Sequence, residues 1–360
     1  MTRRIGILTG GGDAPGLNAV IRGFTRRAVR EFGWQVVGIF DSFNGLILEP
    51  RRTQRLKDDE VRKILAWGGT ILGTTNRGDP FDFPLPEGRQ DLSSHLAQVL
   101  AEEKIEGLVV IGGDGTQKIA LRLMQERGIP VVGVPKTIDN DLSGTDLTFG
   151  FQSAVCVATD ALDRLHTTAE SHERVMVLEV MGRDTGHIAL HAGLSGAADV
   201  ILIPEIPYDP ARVAAKIQRR QRKGRCYSIV VVAEGALPAE HDGQAVPEAD
   251  RSRRLRAGGG AAQILMAALD GRVDAEMRAT VLGHLQRGGS PVPSDRLLAT
   301  RFGAHAADLV AANRWGRMVR IRNDHVDSIP LDQAAVTRFV DPESELVSVA
   351  RQMLVELGSE

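Results

Sequence analysis

The sequence predicts an α/β protein made of two Rossmann-like, doubly wound lobes with a cleft between them. Three observations lead there. A short apolar strand pattern at residues 4–9 runs into a glycine turn and then a helix. That strand–turn–helix order recurs along the chain. The strands are apolar throughout rather than alternating, as in parallel sheets covered on both faces. With 360 residues there is room for two α/β domains of ordinary size.

In the first series, residues 10–16 form the turn after the first strand, and a helix follows over 17–30. Strands at 107–111 and 130–134 lead into Gly112-Gly113-Asp114-Gly115-Thr116 and into the polar stretch 135–141. A second series starts after Phe149-Gly150, with strands at 175–180, 200–203 and 228–233. Between them a helix from about Thr185 is expected. Another is capped by Asp209, has Pro210 at its first position and runs to Lys223. Residues 235–260 lack periodicity and read as a surface excursion. The pattern then gives a strand over 279–285 and an amphipathic helix over 343–357. The lobes are expected to comprise residues 1–149 with 285–335, and 150–284 with 336–360.

Composition narrows the function. Hydrophobic residues make up 42% and charged residues 25%, with a net charge of -2, which excludes a nucleic-acid or anionic-membrane surface spread over the whole molecule. Cys156 and Cys226 sit in no zinc spacing and are expected to be free thiols packed as small hydrophobes, consistent with a reducing cytoplasmic compartment. No apolar run approaches the ~18 residues of a membrane span, and the apolar stretch 5–8 is too short for a signal peptide.

Glycines and polar residues cluster at the predicted strand ends, where open α/β sheets bind ligands. The 10–16 turn exposes backbone amides before a helix N-terminus, a phosphate cradle or simply a tight turn. The segment 112–116 suits a phosphate chain and its metal, with Asp114 holding Mg²⁺ and the Thr116 hydroxyl assisting; a helix-capping Asp is the alternative. In 137–141, Asp139 and Asp141 point the same way if the segment is extended. Asp139 is then the candidate base for an attacking hydroxyl, with Asp141 orienting that base or the metal; two capping acids are the alternative. Arg174, Arg183, Arg278 and Arg287 with His284 imply an anionic substrate, although each alone also reads as a surface ion pair. Glu234 ends an apolar strand and suits sugar hydroxyls or solvent. His166, His172, His187 and His191 have no metal-ligand context and read as structural. The basic run 219–225 is either a solvated helix end or an effector-phosphate pocket.

Six motifs in order resemble the phosphofructokinase family over all but residues 235–260. They are residues 11–16 with Asn18, 112–116, 137–141 with 144–146, 171–174, Met181-Gly182-Arg183, and 283–289. The resemblance implies ATP and Mg²⁺ in the first lobe, held by Gly11, Gly12, Gly113, Asp114, Gly115 and Thr116. Asp139 becomes the general base and Asp114 the metal carboxylate. Thr137, Asp141, Met181, Gly182, Arg183, Glu234, His284 and Arg287 fall where the family holds fructose 6-phosphate, whose binding is assigned mainly to the second lobe. Arg174 and Arg278 match arginines that reach the sugar phosphate from a neighbouring subunit of a homodimer or homotetramer. Arg77, with spacing one residue longer than in familiar bacterial enzymes, corresponds to an arginine on the transferring phosphate; Arg183, Arg77 and Gly12 then stabilise developing charge. Gly115 leaves room for a nucleotide α-phosphate where pyrophosphate enzymes place an aspartate, whereas Lys136 resembles the lysine of pyrophosphate users and of a mixed group of ATP enzymes. Ile119 replaces a glycine near adenosine. Arg22 and Arg26 match effector-site arginines, while Cys226 and Tyr227 replace basic residues there, so weak or absent regulation is expected. A non-catalytic sugar-phosphate-binding subunit is the alternative of another class.

Overall fold

The computed structural model describes residues 2–239, 248–334 and 336–359. The chain forms two compact units. One comprises Met1–Ile138, Leu142–Ser153 and Arg287–Thr337; the other comprises Asp139–Asp141, Ala154–Gln286 and Arg338–Glu360. Asp139–Asp141, expected with the first lobe, therefore belong to the second unit.

The first unit is built on an eight-stranded sheet. Its order is His325–Pro330, Arg317–Arg322, Val131–Thr137, Gly107–Gly112, Arg4–Thr9, Gln35–Ile39 and Thr53–Leu56, with Phe149–Gly150 paired beside Val131–Thr137. The central strands are parallel and the outermost pair at each edge antiparallel. Alternation sorts the side chains. Ile5, Ile7, Val109, Ile111, Val132 and Val134 pack on one face with Leu17, Ile21, Phe24, Phe302 and Ala306. Leu8, Ile39, Leu108, Val110 and Val131 pack on the other with Leu96, Val99, Ala120 and Leu123. Each such fully buried aliphatic contributes about 1.5–3 kcal/mol of transfer free energy. On the first face the helices Leu17–Arg30 and Pro293–Ala311 cross closely at two glycines. A Cβ on Gly23 would lie 2.7 Å from Thr300 O, and one on Gly303 2.4 Å from Val20 O.

The second unit carries a four-stranded parallel sheet in the order Val200–Leu202, Ser228–Ala233, Val175–Val180, Met277–Val281. Helix Pro210–Arg222 starts as expected, with Asp209 Oδ1 accepting from Ala211 N at 2.8 Å.

Several expectations are corrected. The strand expected over 130–134 continues to Thr137, because Lys136 and Thr137 pair with Phe149 and Gly150. Beyond it the chain does not stay extended. Asn140 has φ +53°, so Asp139 and Asp141 are not neighbours on one face of a strand. The strand expected over 279–285 is Met277–Val281. Gly283, at φ +48°, then turns the chain into a 3₁₀ helix, Gly283–Arg287. The excursion contains a helix, Glu248–Gly258; its residues 240–247 lie outside the described ones. The last helix is only Glu345–Gln352. Leu354, at φ +61°, ends it, and Glu356 then pairs beside Val200. Both cysteines are free but exposed, not packed.

Candidate active site

The first unit assembles the glycine turn with two cations. Gly10 N donates to Ile111 O (2.9 Å) and Gly11 N to Thr75 O (3.1 Å), anchoring the turn beside the strand Gly107–Gly112. Gly11 has φ +79°, a conformation glycine adopts freely. Lys136 Nζ donates to Gly12 O, and Arg287 Nη1 donates to Asp13 O at 3.0 Å. A Cβ on Gly12 would lie 2.9 Å from Arg287 Nη1, so a side chain here requires the guanidinium to move aside. Thr116 Oγ1 lies 3.5 Å from the Cβ position of Gly11. Gly11, Gly12, Thr116, Lys136 and Arg287, read from separate stretches of sequence, are thus neighbours.

At the next strand end, Gly113 precedes the helix Asp114–Arg127, with Asp114 in the first turn. Asp114 Oδ2 is 3.6 Å from Lys118 Nζ. A Cβ on Gly115 would meet no atom within 4 Å, so the space beside it is open. Ile119 packs partly against the core. Gln117, which the sequence did not single out, is buried, and its Nε2 donates to Val110 O, Gly112 O and Val134 O, tying two strand ends together. Arg77 is exposed and donates from its backbone N to Thr75 Oγ1 at 3.0 Å; the side chain nearest Gly11 from that loop is Asn76, with Oδ1 3.9 Å from the Cβ position.

The second unit holds most of the sugar-site candidates, two groups of them beside the strand ends, whereas Thr137 and Arg287 belong to the first unit. In the first group, Met181 N donates to Gln286 Oε1 (2.8 Å) and Arg183 N to Glu234 Oε1 (2.8 Å). Gly182 has φ +148°, and a Cβ there would sit 2.4 Å from Thr185 O, so only glycine fits this turn. His284 is exposed, whereas Gln286, two residues on, is buried. In the second group, Arg174 Nε lies 2.5 Å from Glu276 Oε2, and Arg278 is paired with the other oxygen of the same carboxylate. The hydrogen bond from Arg174, aided by the charges of Arg174, Arg278 and His172, holds the Glu276 carboxyl below its ordinary range. The two arginines are therefore brought together, over an acid the sequence did not mark.

Asp139, Asn140 and Asp141 are buried. Arg338 secures their backbone from far along the chain: Nη2 donates to Asn140 O (2.8 Å) and N to Asp141 O (2.7 Å). Arg338 O lies 3.2 Å from His187 Nε2. Burial, with the Arg338 charge, pushes His187 down to about 4, so it is neutral near pH 7 and donates from Nε2. Thr137 is buried, and its carbonyl accepts from Thr148 Oγ1 at 2.8 Å. The histidines read as structural fit that reading where they are bonded: His166 to Gly196 O (2.8 Å) and His191 to His187 O (2.8 Å).

Elsewhere, Arg26 and Arg30 pair with Asp58, and burial lowers the affinity of Arg22 for its proton. In the basic run 219–225, Arg219, Arg220, Lys223 and Arg225, with Asp199 and Glu356, line a cavity of about 570 Å³.

A family model described as phosphofructokinase matches residues 4–310. The chain belongs to the phosphofructokinase family. An ATP-dependent 6-phosphofructokinase of Chloroflexus aurantiacus is 51% identical over 99% of this chain and 98% of its own length. ATP-dependent 6-phosphofructokinase 1 of Synechocystis sp. is 46% identical, with 99% of each chain covered. Among solved structures, the phosphofructokinase from Saccharomyces cerevisiae aligns with a TM-score of 0.77 at 30% identity, covering 98% of this chain; this chain spans 47% of the yeast one. The pyrophosphate-dependent phosphofructokinase from Marinobacter aquaeolei, at 21% identity and TM-score 0.79, shares the fold. Among the described residues no helix is long and apolar enough to cross a membrane.

Proposed function

We propose that this phosphofructokinase transfers the γ-phosphoryl group of ATP to the 1-hydroxyl of fructose 6-phosphate, the committed step of glycolysis, in the cytoplasm. The observation that carries the choice of donor is the open space at Gly115, beside Asp114 at the head of a helix. A nucleotide needs that room for its α-phosphate; pyrophosphate does not. Lys136, which argued for pyrophosphate, donates to Gly12 O and so has a role in holding the glycine turn under either donor. Relatives at 46–51% identity that are named ATP-dependent support the same reading.

Each residue then has a task. Asp139 takes the proton of the 1-hydroxyl as its oxygen attacks the donor phosphorus, and the β-phosphate oxygen leaves with ADP. Arg183, Gly12 and Arg77 stabilise charge developing on the transferring group. Thr137, Asp141, Met181, Gly182, Glu234, His284 and Arg287 orient the sugar phosphate. Arg174 and Arg278 take its phosphate across a subunit boundary in a homodimer or homotetramer. Among the described residues no cluster of three or more His, Cys, Asp or Glu could hold a metal by itself. Mg²⁺ binds through one or two carboxylates plus substrate phosphates, and Asp114 in the first turn of its helix is the fitting donor. Bound there, Mg²⁺ would neutralise charge on the donor phosphates.

Coupled assays of the pure chain with fructose 6-phosphate, comparing ATP with pyrophosphate, test the proposal. Turnover with ATP is expected to exceed that with pyrophosphate. The reverse order makes the protein a pyrophosphate enzyme, and no turnover with either makes it a non-catalytic sugar-phosphate-binding subunit.

A further inference from the structure

Arg174, Glu276 and Arg278 are brought together by the register of two neighbouring strands. Arg174 immediately precedes the strand Val175–Val180, and Glu276 immediately precedes Met277–Val281, the strand at the edge of the second unit's sheet. The two run parallel, with Met277 opposite Val175 and Arg278 opposite Met176, and Val175 N donates to Glu276 O at 3.0 Å. Glu276 and Arg278 are two residues apart, so strand alternation sends both side chains to one face. Arg174 reaches the same carboxylate from the adjacent strand: its Nε donates to Oε2 at 2.5 Å, while Arg278 Nη2 pairs with Oε1. One carboxylate thus carries a guanidinium on each oxygen. Among the described residues neither arginine pairs with another acid. The Arg174 side chain is 25% exposed and that of Glu276 44%, so the trio stands open to a ligand. The Met181–Arg183 turn follows the opposite end of Val175–Val180, about 20 Å away for a strand of that length. A sugar phosphate held at that turn is out of reach of the same chain's Arg174, which suits arginines that serve a neighbouring copy.

We infer that Glu276 is a positioning residue for the sugar phosphate: its carboxylate holds Arg174 and Arg278 together as a ready clamp for a phosphate dianion. This rests on the role given to the two arginines above. Two guanidinium groups left alone repel, and their long side chains spread over many rotamers. An acid between them offsets the repulsion and orders both before the substrate arrives, so less ordering is left for the binding step. A network of this kind outweighs an isolated surface pair. Each guanidinium carries five donors in a plane. Glu276 takes Nε of Arg174 and Nη2 of Arg278, and a phosphate can engage the nitrogens that remain. The Arg174 hydrogen bond and the arginine charges keep the Glu276 carboxyl below its ordinary range, so it is ionised at neutral pH.

The test is steady-state kinetics with ATP on the full chain, with circular dichroism, melting temperature and oligomeric state recorded for every variant. Glu276→Gln keeps the shape and removes the charge. It is expected to raise KM for fructose 6-phosphate about tenfold, with kcat and KM for ATP within about twofold of the parent. Glu276→Asp keeps the charge on a shorter stem and is expected to recover part of the loss. Adding Glu276→Gln to Arg174→Ala is expected to raise KM no further than Arg174→Ala alone, because one arginine leaves nothing to hold together. A merely structural Glu276 predicts that the two effects multiply. Unchanged KM in Glu276→Gln, or a further rise of about tenfold in the double variant, overturns the inference. So does a lowered KM, which would make Glu276 a competitor for the phosphate seat. If Glu276→Gln does not fold or assemble, Glu276→Asp decides: KM raised about two- to fivefold at parental kcat supports the clamp, and KM at the parental value or below overturns it. Arg174→Ala separates the two levels. If it leaves KM unchanged, the role of the arginines fails. If it raises KM while Glu276→Gln does not, only the role of Glu276 fails.

Discussion

Replacing Gly115 by Asp isolates the choice of phosphoryl donor. The added Cβ meets no protein atom within 4 Å, so the fold has no steric reason to change. Position 115 lies in the first turn of the helix Asp114–Arg127, where an acid is favoured by about 0.3–1 kcal/mol through the helix dipole. The variant is therefore expected to melt at or slightly above the parental temperature. Its carboxylate fills the open space where the α-phosphate of ATP belongs. Two unit charges about 4 Å apart at an effective dielectric constant of about 20 repel by about 4 kcal/mol, or roughly a thousandfold in kcat/KM. Steric exclusion adds to this. The assay couples fructose 1,6-bisphosphate formation to a dye or nicotinamide readout at fixed Mg²⁺, titrating ATP and then pyrophosphate. A stable variant whose kcat/KM for ATP stays within tenfold of the parent refutes the reasoning, since the open space would then have no bearing on the nucleotide.

Three more outcomes are expected. Burial holds His187 at about 4 against an ordinary value of 6.5, so as pH falls the unfolded chain takes the proton first. Its contribution is complete above pH 6.5 and is lost toward pH 4, amounting to about 3 kcal/mol. Urea midpoints across that window check this, with His187→Gln giving a flatter profile. Gly182→Ala forces a side chain into φ +148° and against Thr185 O, at a cost of about 1–3 kcal/mol. Melting temperature and kcat should fall together, and an unaltered melting curve contradicts this. Arg174→Ala removes a charge-assisted hydrogen bond of about 1.5–3 kcal/mol, so KM for fructose 6-phosphate should rise about 10- to 100-fold with little change in kcat; an unchanged KM removes Arg174 from the sugar site.

What the sequence made legible was whatever local backbone chemistry marks. Residues 4–30 read correctly as strand, glycine turn and helix because apolar periodicity and glycines change abruptly there. Asp209 and Pro210 announced their helix by capping chemistry alone. The meeting of Lys136 and Arg287 with the glycine turn was not legible, since Lys136 lies inside the strand Val131–Thr137 and Arg287 ends a 3₁₀ helix rather than a strand. What stayed hidden came from long range. Arg338 binds the carbonyl of Asn140 across 198 positions of sequence, and nothing near either residue signals the partner. Glu276 matters through the two arginines it meets, and that pairing exists only once the sheet and its helices are formed. The 137–141 segment misled because alternation was assumed across Asn140, a residue type that tolerates positive φ. The end of the last helix at Leu354 was equally unreadable, since leucine carries no stop signal.

The kcat of Asp139→Ser with ATP and fructose 6-phosphate, alongside the binding constant for the sugar phosphate, goes straight to the claim that this carboxylate removes the hydroxyl proton. A fall of about two to four orders of magnitude with binding nearly unaltered is predicted. Turnover close to that of the parent would place the base elsewhere.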